Sequence, residues 1–360
     1  MRYNILFFLM VSLLACKEQE TLNFYKNNGG TPFISNGRVE PLADSTIVLI
    51  GSGSSVEFMV EGDSLNIHLR SGGPSYNYIL LEVNDQYLGR FKIEQGKEII
   101  PLKLDKKQSK VGIYKATEAA NGTVIFLGAE AQKISPLKKN SVALIEFIGN
   151  SITCGMGADT TDAPCGSKEW FDQHNAYLAY GPRVARALNT SFKLSSVSGI
   201  GMYRNWNDEN IDEPIMPQVY ENLYLNTDSS KKADFSMHPD IVSICLGTND
   251  LSVGDGVKPR LPFNQEKFVD NYTKFVKNIF SHYPNTKVAL LTSPMVSGTK
   301  GDTLIACLKK VKENIGTETV SIFEFDEVPP TGCSWHPSIS EHKQMAEQLE
   351  PFFRDILNNE

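Results

Sequence analysis

IEFIGNSITCGMG, residues 145–157, decides how the rest of the chain is read. The apolar run Val142 to Ile148 ends in Gly149-Asn150-Ser151, the pattern by which a buried strand delivers a serine to the edge of a sheet. The strand supplies rigidity and the glycine a tight exit, so the hydroxyl is exposed while the residues behind it are packed. Ser151 is therefore the candidate nucleophile. Alone the pattern is weak, because most serines after a strand merely cap the next segment. Two distant stretches strengthen it. IVSICLGTND, residues 241–250, is a second strand run, and its Asn249 can turn an amide toward a neighbouring strand end. GCSWHPS, residues 332–338, sets His336 in a loop directly ahead of a helix pattern. A parallel sheet brings all three to one edge.

Two kinds of periodicity divide the chain. From about 47 to 135, short alternating runs are separated by turn residues such as Glu61-Gly62-Asp63, Asn84-Asp85 and Asn121-Gly122, which predicts a β-sandwich of jelly-roll type. From 140 to 360, strand runs at 142–148, 192–197, 241–246, 287–292 and 320–325 alternate with helix patterns near 175–188, 264–282, 302–314 and 338–357. That alternation predicts a doubly wound α/β domain on a five-stranded parallel sheet. The β domain reads as a flank that helps to shape the cleft, since it carries no obvious platform of exposed aromatics; the other reading makes it a sugar-binding module.

With 360 residues, 41% of them hydrophobic and 21% charged, the chain is globular and long enough for these two domains. Its net charge of -7 and lack of a dense Lys/Arg patch argue against a nucleic-acid or anionic-membrane surface. No histidine or cysteine spacing resembles a zinc site, so no metal or cofactor is expected.

Gly149-Asn150-Ser151-Ile152, Ser198-Gly199-Ile200-Gly201, Gly247-Thr248-Asn249-Asp250 and His336-Pro337 resemble, in order, the four signature blocks of the SGNH, or GDSL-like, hydrolases, and most closely those of carbohydrate esterase family 2. Asn150 stands where most of that superfamily has aspartate. The resemblance implies a flavodoxin-like hydrolase domain that removes acetyl groups from plant-type polysaccharides or oligosaccharides such as xylan and glucomannan. It also implies His336 as the base, and an oxyanion hole made of the Ser151 and Gly199 N–H groups and the Asn249 amide. Gly201 is a possible substitute for Gly199, because Ser-Gly-Ile-Gly leaves the register open. Aspartate three residues before the histidine completes the triad in many relatives; here Cys333 holds that place, with Asp326 and Glu327 the nearest upstream carboxylates. A Ser-His dyad is expected, with His336 oriented by a backbone carbonyl, the alternative being a carboxylate from another loop. Trp335, Trp206, Tyr203 and Trp170 lie beside the motif blocks and are candidate sugar-stacking residues, the first three in particular.

Arg2 followed by a short apolar core and Leu13-Leu14-Ala15-Cys16 reads as a signal peptide, residues 1–15, and looks like a bacterial lipobox. This implies lipidation of Cys16, a tether and first edge segment over 16–46, attachment to the bacterial cell envelope, and contact with the membrane only through the lipid. Cys154 and Cys165 bracket a short loop after the nucleophile and are the expected disulfide, while Cys245 and Cys307 read as core residues. Two other readings stay open: a lipase or thioesterase of the same superfamily, and a non-catalytic glycan-binding surface lipoprotein.

Overall fold

The computed structural model describes residues 21–27, 32–73, 75–138 and 142–358; the expected signal peptide, residues 1–15, and Cys16 lie outside them. The first half is antiparallel: β1 Asn23–Tyr25, β2 Ile34–Asn36, β3 Val39–Pro41, β4 Ile47–Leu49, β5 Ser55–Ser71, β6 Asn77–Val83, β7 Gln86–Ile93, β8 Glu98–Lys103, β9 Gln108–Lys115 and β10 Val124–Ser135. The second alternates: β11 Leu144–Gly149, α1 Ser151–Cys154, α2 Tyr180–Ala187, β12 Ser191–Ser196, α3 Met216–Val219, β13 Ile241–Cys245, α4 Gln265–His282, β14 Lys287–Leu291, α5 Gly298–Ile315, β15 Val320–Phe323 and α6 Ile339–Asn358.

In the β domain the long strands β5 and β10 run side by side and bend together. Along β5 the core positions change parity, from Val56, Phe58 and Val60 to Leu65, Ile67 and Leu69. The change falls at Gly62, whose φ of 112° only glycine adopts readily. Register shifts at Phe126/Gly128 and Ala131/Lys133 do the same for β10. One ten-stranded sheet thus curls around a single apolar core containing Phe33, Phe58 and Phe126.

The second sheet has five strands in the order β12-β11-β13-β14-β15, all parallel. Because successive strand residues face opposite sides, Ile145 and Phe147 pack on Val184 of α2 and Met345, Leu349 and Phe353 of α6. Ile148, Val242 and Ile244 belong instead to the core with Phe268, Tyr272 and Phe275 of α4 and Leu304 and Leu308 of α5. Each such fully buried side chain contributes roughly 1.5–3 kcal/mol over its exposed state. The chain leaves β11 first to one side and then to the other, and the ends of β11, β12 and β13 meet at that switch point.

The two sheets are bolted together by Arg38. Its guanidinium is buried and donates to Ser195 Oγ at 3.0 Å, to the Tyr220 carbonyl at 2.8 Å and to the Asn222 carbonyl at 2.6 Å. Glu146 of β11 balances it, accepting from Ser195 Oγ at 2.6 Å and Tyr220 OH at 3.0 Å, with Lys193 Nζ at 3.3 Å. Burial alone would raise this carboxyl, but the cations Lys193 and Arg38 and these donors together hold it below the ordinary range.

Candidate active site

Ser151 is the first residue of α1, so its N–H is one of the orphan donors of a helix start. Asn150 caps the turn, its Oδ1 accepting from the Ile152 N–H at 3.0 Å. Gly149 is required by close approach: a Cβ there would meet Thr153 Oγ1 at 2.0 Å.

His336 arrives from the opposite end of the sequence, on the loop between β15 and α6. Its Nε2 lies 2.8 Å from Ser151 Oγ, across 185 residues of chain, and its Nδ1 lies 2.7 Å from the Ser334 carbonyl. A carbonyl only accepts, so Nδ1 carries the proton and Nε2 offers its lone pair to the serine. The carbonyl reaches back because Ser334 and Trp335 both adopt left-handed φ, 54° and 59°. Burial of the ring holds the His336 pKa below its ordinary 6.5, partly offset by the bond to Ser334. The upstream carboxylates do not approach it through any bond: Glu327 accepts from Ser297 Oγ at 2.9 Å, and the Asp326 amide donates to Gln348. Glu341 ties the ends of the loop instead, accepting from the Thr331 N–H at 2.9 Å and the Ser338 N–H at 2.8 Å.

The third element comes from the ends of β12 and β13. Gly199 has φ 78°, and a methyl placed on it meets only Trp206 Cβ, at 4.0 Å, so the backbone there borders open space. Among the described residues neither the Gly199 nor the Ser151 N–H has an acceptor. The Gly201 N–H, by contrast, donates to Asn205 Oδ1 at 3.0 Å, which removes it as a substitute. Asn249 spends one amide hydrogen on the Ile200 carbonyl at 2.8 Å and keeps the other, while Arg260 Nη2 grips the Asn249 carbonyl at 2.8 Å. Asp250 accepts from the N–H groups of Met202, Tyr203 and Arg204 and pins the intervening loop; burial pushes its carboxyl up to about 6.

The expected disulfide is corrected. Cys165 pairs with Cys333, Cα to Cα 5.3 Å, and Cys154 is a free, buried thiol. The reason is local geometry: α1 turns Cys154 inward, where its Sγ lies 3.1 Å from Glu118 Oε2 and 3.2 Å from Ser196 Oγ. Cys333 is thus neither an acid nor simple packing but a staple at the head of the His336 loop. Tyr203 is also corrected: it is 3% exposed, its OH accepts from the Asn264 N–H, and its ring packs on Phe263 and Phe268, so it cannot stack on a sugar. Trp335 at 83% exposure, with Trp206 and Trp170 at 47%, remains accessible. Among the described residues no group of His, Cys, Asp and Glu could hold a metal, and no helix is long and apolar enough to cross a membrane.

Residues 35–139 match the carbohydrate esterase 2 N-terminal family, and residues 147–324 match the GDSL-like lipase/acylhydrolase family. The chain is 31% identical over 320 residues to the cellulase/esterase CelE of Acetivibrio thermocellus, covering 85% of this chain and 37% of that protein. It is 28% identical over 251 residues to an acetylxylan esterase/glucomannan deacetylase of Cellvibrio japonicus, covering 67% of each. The structure of a family two carbohydrate esterase from Clostridium thermocellum in complex with cellohexaose superposes with a TM-score of 0.80 at 28% identity, over 90% of this chain and 99% of that one. A five-stranded parallel sheet with a serine after its first strand and a histidine before its last helix marks the second domain as an SGNH hydrolase domain. The chain thus joins a carbohydrate esterase 2 N-terminal domain to a GDSL-like hydrolase domain, and the structures it resembles are family two carbohydrate esterases.

Proposed function

We propose that this protein is a serine esterase that removes O-acetyl groups from polysaccharides or oligosaccharides, using Ser151 and His336 as a dyad. The observation that carries the reading is the pair of bonds at His336, serine on Nε2 and a backbone carbonyl on Nδ1. As Ser151 Oγ attacks the acetyl carbonyl, its proton passes to Nε2, and the Ser334 carbonyl holds the resulting imidazolium in place. The oxyanion is received by the Ser151 and Gly199 N–H groups and the remaining Asn249 amide hydrogen, each donor contributing on the order of 3 kcal/mol in the transition state. As the tetrahedral intermediate collapses and the acyl C–O bond to the sugar breaks, Nε2–H protonates the departing sugar oxygen, releasing it as a hydroxyl. Water, deprotonated by the same nitrogen, attacks the acetyl-enzyme and releases acetate.

The relatives named as acetylxylan esterases and glucomannan deacetylases support xylan and glucomannan as the substrates to try first. The exposure of Trp335 and Trp206 supports a role for these rings in stacking on the glycan. Lipidation of Cys16 and residence in the bacterial cell envelope belong to the same reading and rest on the leader sequence; mass spectrometry of the membrane-extracted protein tests them. Ser151→Ala should remove at least 99% of acetate release from acetylated xylan and glucomannan while leaving the thermal transition in place. Retention of a tenth of the rate overturns the assignment. Turnover confined to long-chain acyl esters supports a lipase instead.

A further inference from the structure

The loop that carries the Gly199 donor is held from outside its own domain. Glu118 follows β9 in the β domain and is 1% exposed. Its Oε2 accepts the N–H of Ser198 at 2.6 Å, 80 residues away in sequence and adjacent to Gly199. The same oxygen lies 3.1 Å from Cys154 Sγ, on the helix that begins with Ser151. One carboxylate therefore touches both strand-end segments from which the backbone oxyanion donors come. It is itself braced. Its N–H donates to Asn121 Oδ1 at 3.2 Å, and its carbonyl accepts from Lys115 Nζ at 2.8 Å. Lys115, fully buried, also donates to the Thr117 carbonyl and Oγ1 at 2.9 and 2.8 Å, so the Thr117-Glu118 turn is fixed from within the β domain.

A buried carboxylate is costly to keep in place unless donors face it. A fold needing only a domain contact here could use an apolar side chain. Without the bond, the Val197-Ser198 peptide next to the Gly199 donor would be left to the longer bond from the Ile200 N–H to the Val197 carbonyl at 3.4 Å, and misplacing a catalytic group by about 1 Å can cost about a hundredfold in rate. We infer that Glu118 is a positioning residue for the oxyanion hole, supplied in the same chain by the β domain, which makes that domain part of the catalytic apparatus. The inference rests on the Ser151 reading above, whose own failure shows separately as surviving activity in Ser151→Ala.

The experiment compares Glu118→Gln, Glu118→Asp and Glu118→Leu in the full chain, with p-nitrophenyl acetate as substrate and a phenylboronate as a mimic of the tetrahedral intermediate. Gln keeps an acceptor for the Ser198 N–H and should stay within about fivefold of the wild-type kcat. Leu removes the acceptor and should lower kcat about a hundredfold, with KM within threefold and boronate affinity falling in parallel with kcat. Asp keeps the charge but withdraws it by one methylene, so it should lose at least tenfold in both readouts even if Leu does not fold. A purely structural role would lower the thermal transition and leave kcat and boronate affinity of the folded fraction unchanged. Glu118→Asp, or a folded Glu118→Leu, within threefold of wild type in both readouts overturns the inference, as does a Gln variant as inactive as Asp.

Discussion

Replacing Cys165 with serine should cost the protein stability more than activity. Cys165 is exposed, so the substitution opens no cavity, and it releases a cross-link between residues separated by 168 positions. The chain-entropy estimate for closing a loop of that length sets a ceiling of about 5 kcal/mol, and residual order in the unfolded chain brings the expected loss to about 2–5 kcal/mol. At about 2–4 °C per kcal/mol, the thermal transition should fall by roughly 5–15 °C. The His336 loop keeps other anchors: the Cys333 N–H on the Gly157 carbonyl at 2.8 Å, the Ile339 N–H on the Ala158 carbonyl at 3.1 Å, and Glu341 across its ends. The kcat at 25 °C should accordingly drop by less than tenfold. Denaturant unfolding, kcat on p-nitrophenyl acetate and peptide mapping without reductant make the comparison, with dithiothreitol-treated wild type as the matching control. A Cys165→Ser transition within 1 °C of wild type would refute the stabilising role. A thousandfold loss of kcat with the fold intact would mean that the staple sets the histidine geometry itself.

Other perturbations separate the contributions of single groups. Since burial holds the His336 pKa below 6.5 and the neutral ring is the proposed base, kcat/KM should stay flat above neutrality and be lost as pH falls through a midpoint below 6.5; a midpoint above 7 contradicts the proposed carbonyl-oriented dyad. Arg38→Met leaves Glu146 with one cation fewer in a buried site, which should cost about 3–5 kcal/mol in urea unfolding; a loss under 1 kcal/mol would show that the network is not what joins the domains. Trp335→Ala should raise KM on acetylated polysaccharide by tenfold or more and leave p-nitrophenyl acetate turnover within threefold, and equal effects on both substrates would place the ring outside the glycan path.

The parallel sheet was legible because β11, β13 and β14 are buried on both faces, and their apolar runs end in the small residues that expose a strand end. The bend of the β domain was legible only as turns, since parity changes at Gly62 and Gly128 depend on which face is already buried. What failed was pairing by proximity. Cys154 and Cys165 are close in sequence, but a single helical turn after Ser151 sends the first thiol into the domain junction, and Cys333 comes from far along the chain. Tyr203 lies next to an exposed loop, yet Asp250 draws that loop inward by three N–H groups and buries the ring. Arg38, Glu118 and Arg260 left no local signal at all. Each is one charged residue in a polar stretch, and its role exists only once another segment folds against it.

The back-to-back left-handed residues Ser334 and Trp335 alter what mutation can do to the proposed dyad. An orienting aspartate is a side chain, and one nucleotide change can delete it. The Ser334 carbonyl is present whatever amino acid the codon specifies, so the tautomer of His336 is protected against chemical loss at that position. Its vulnerability moves to handedness. Glycine, asparagine or aspartate at 334 should pass unnoticed, whereas valine, isoleucine or proline, which resist positive φ, should be eliminated by selection although none of them removes the acceptor.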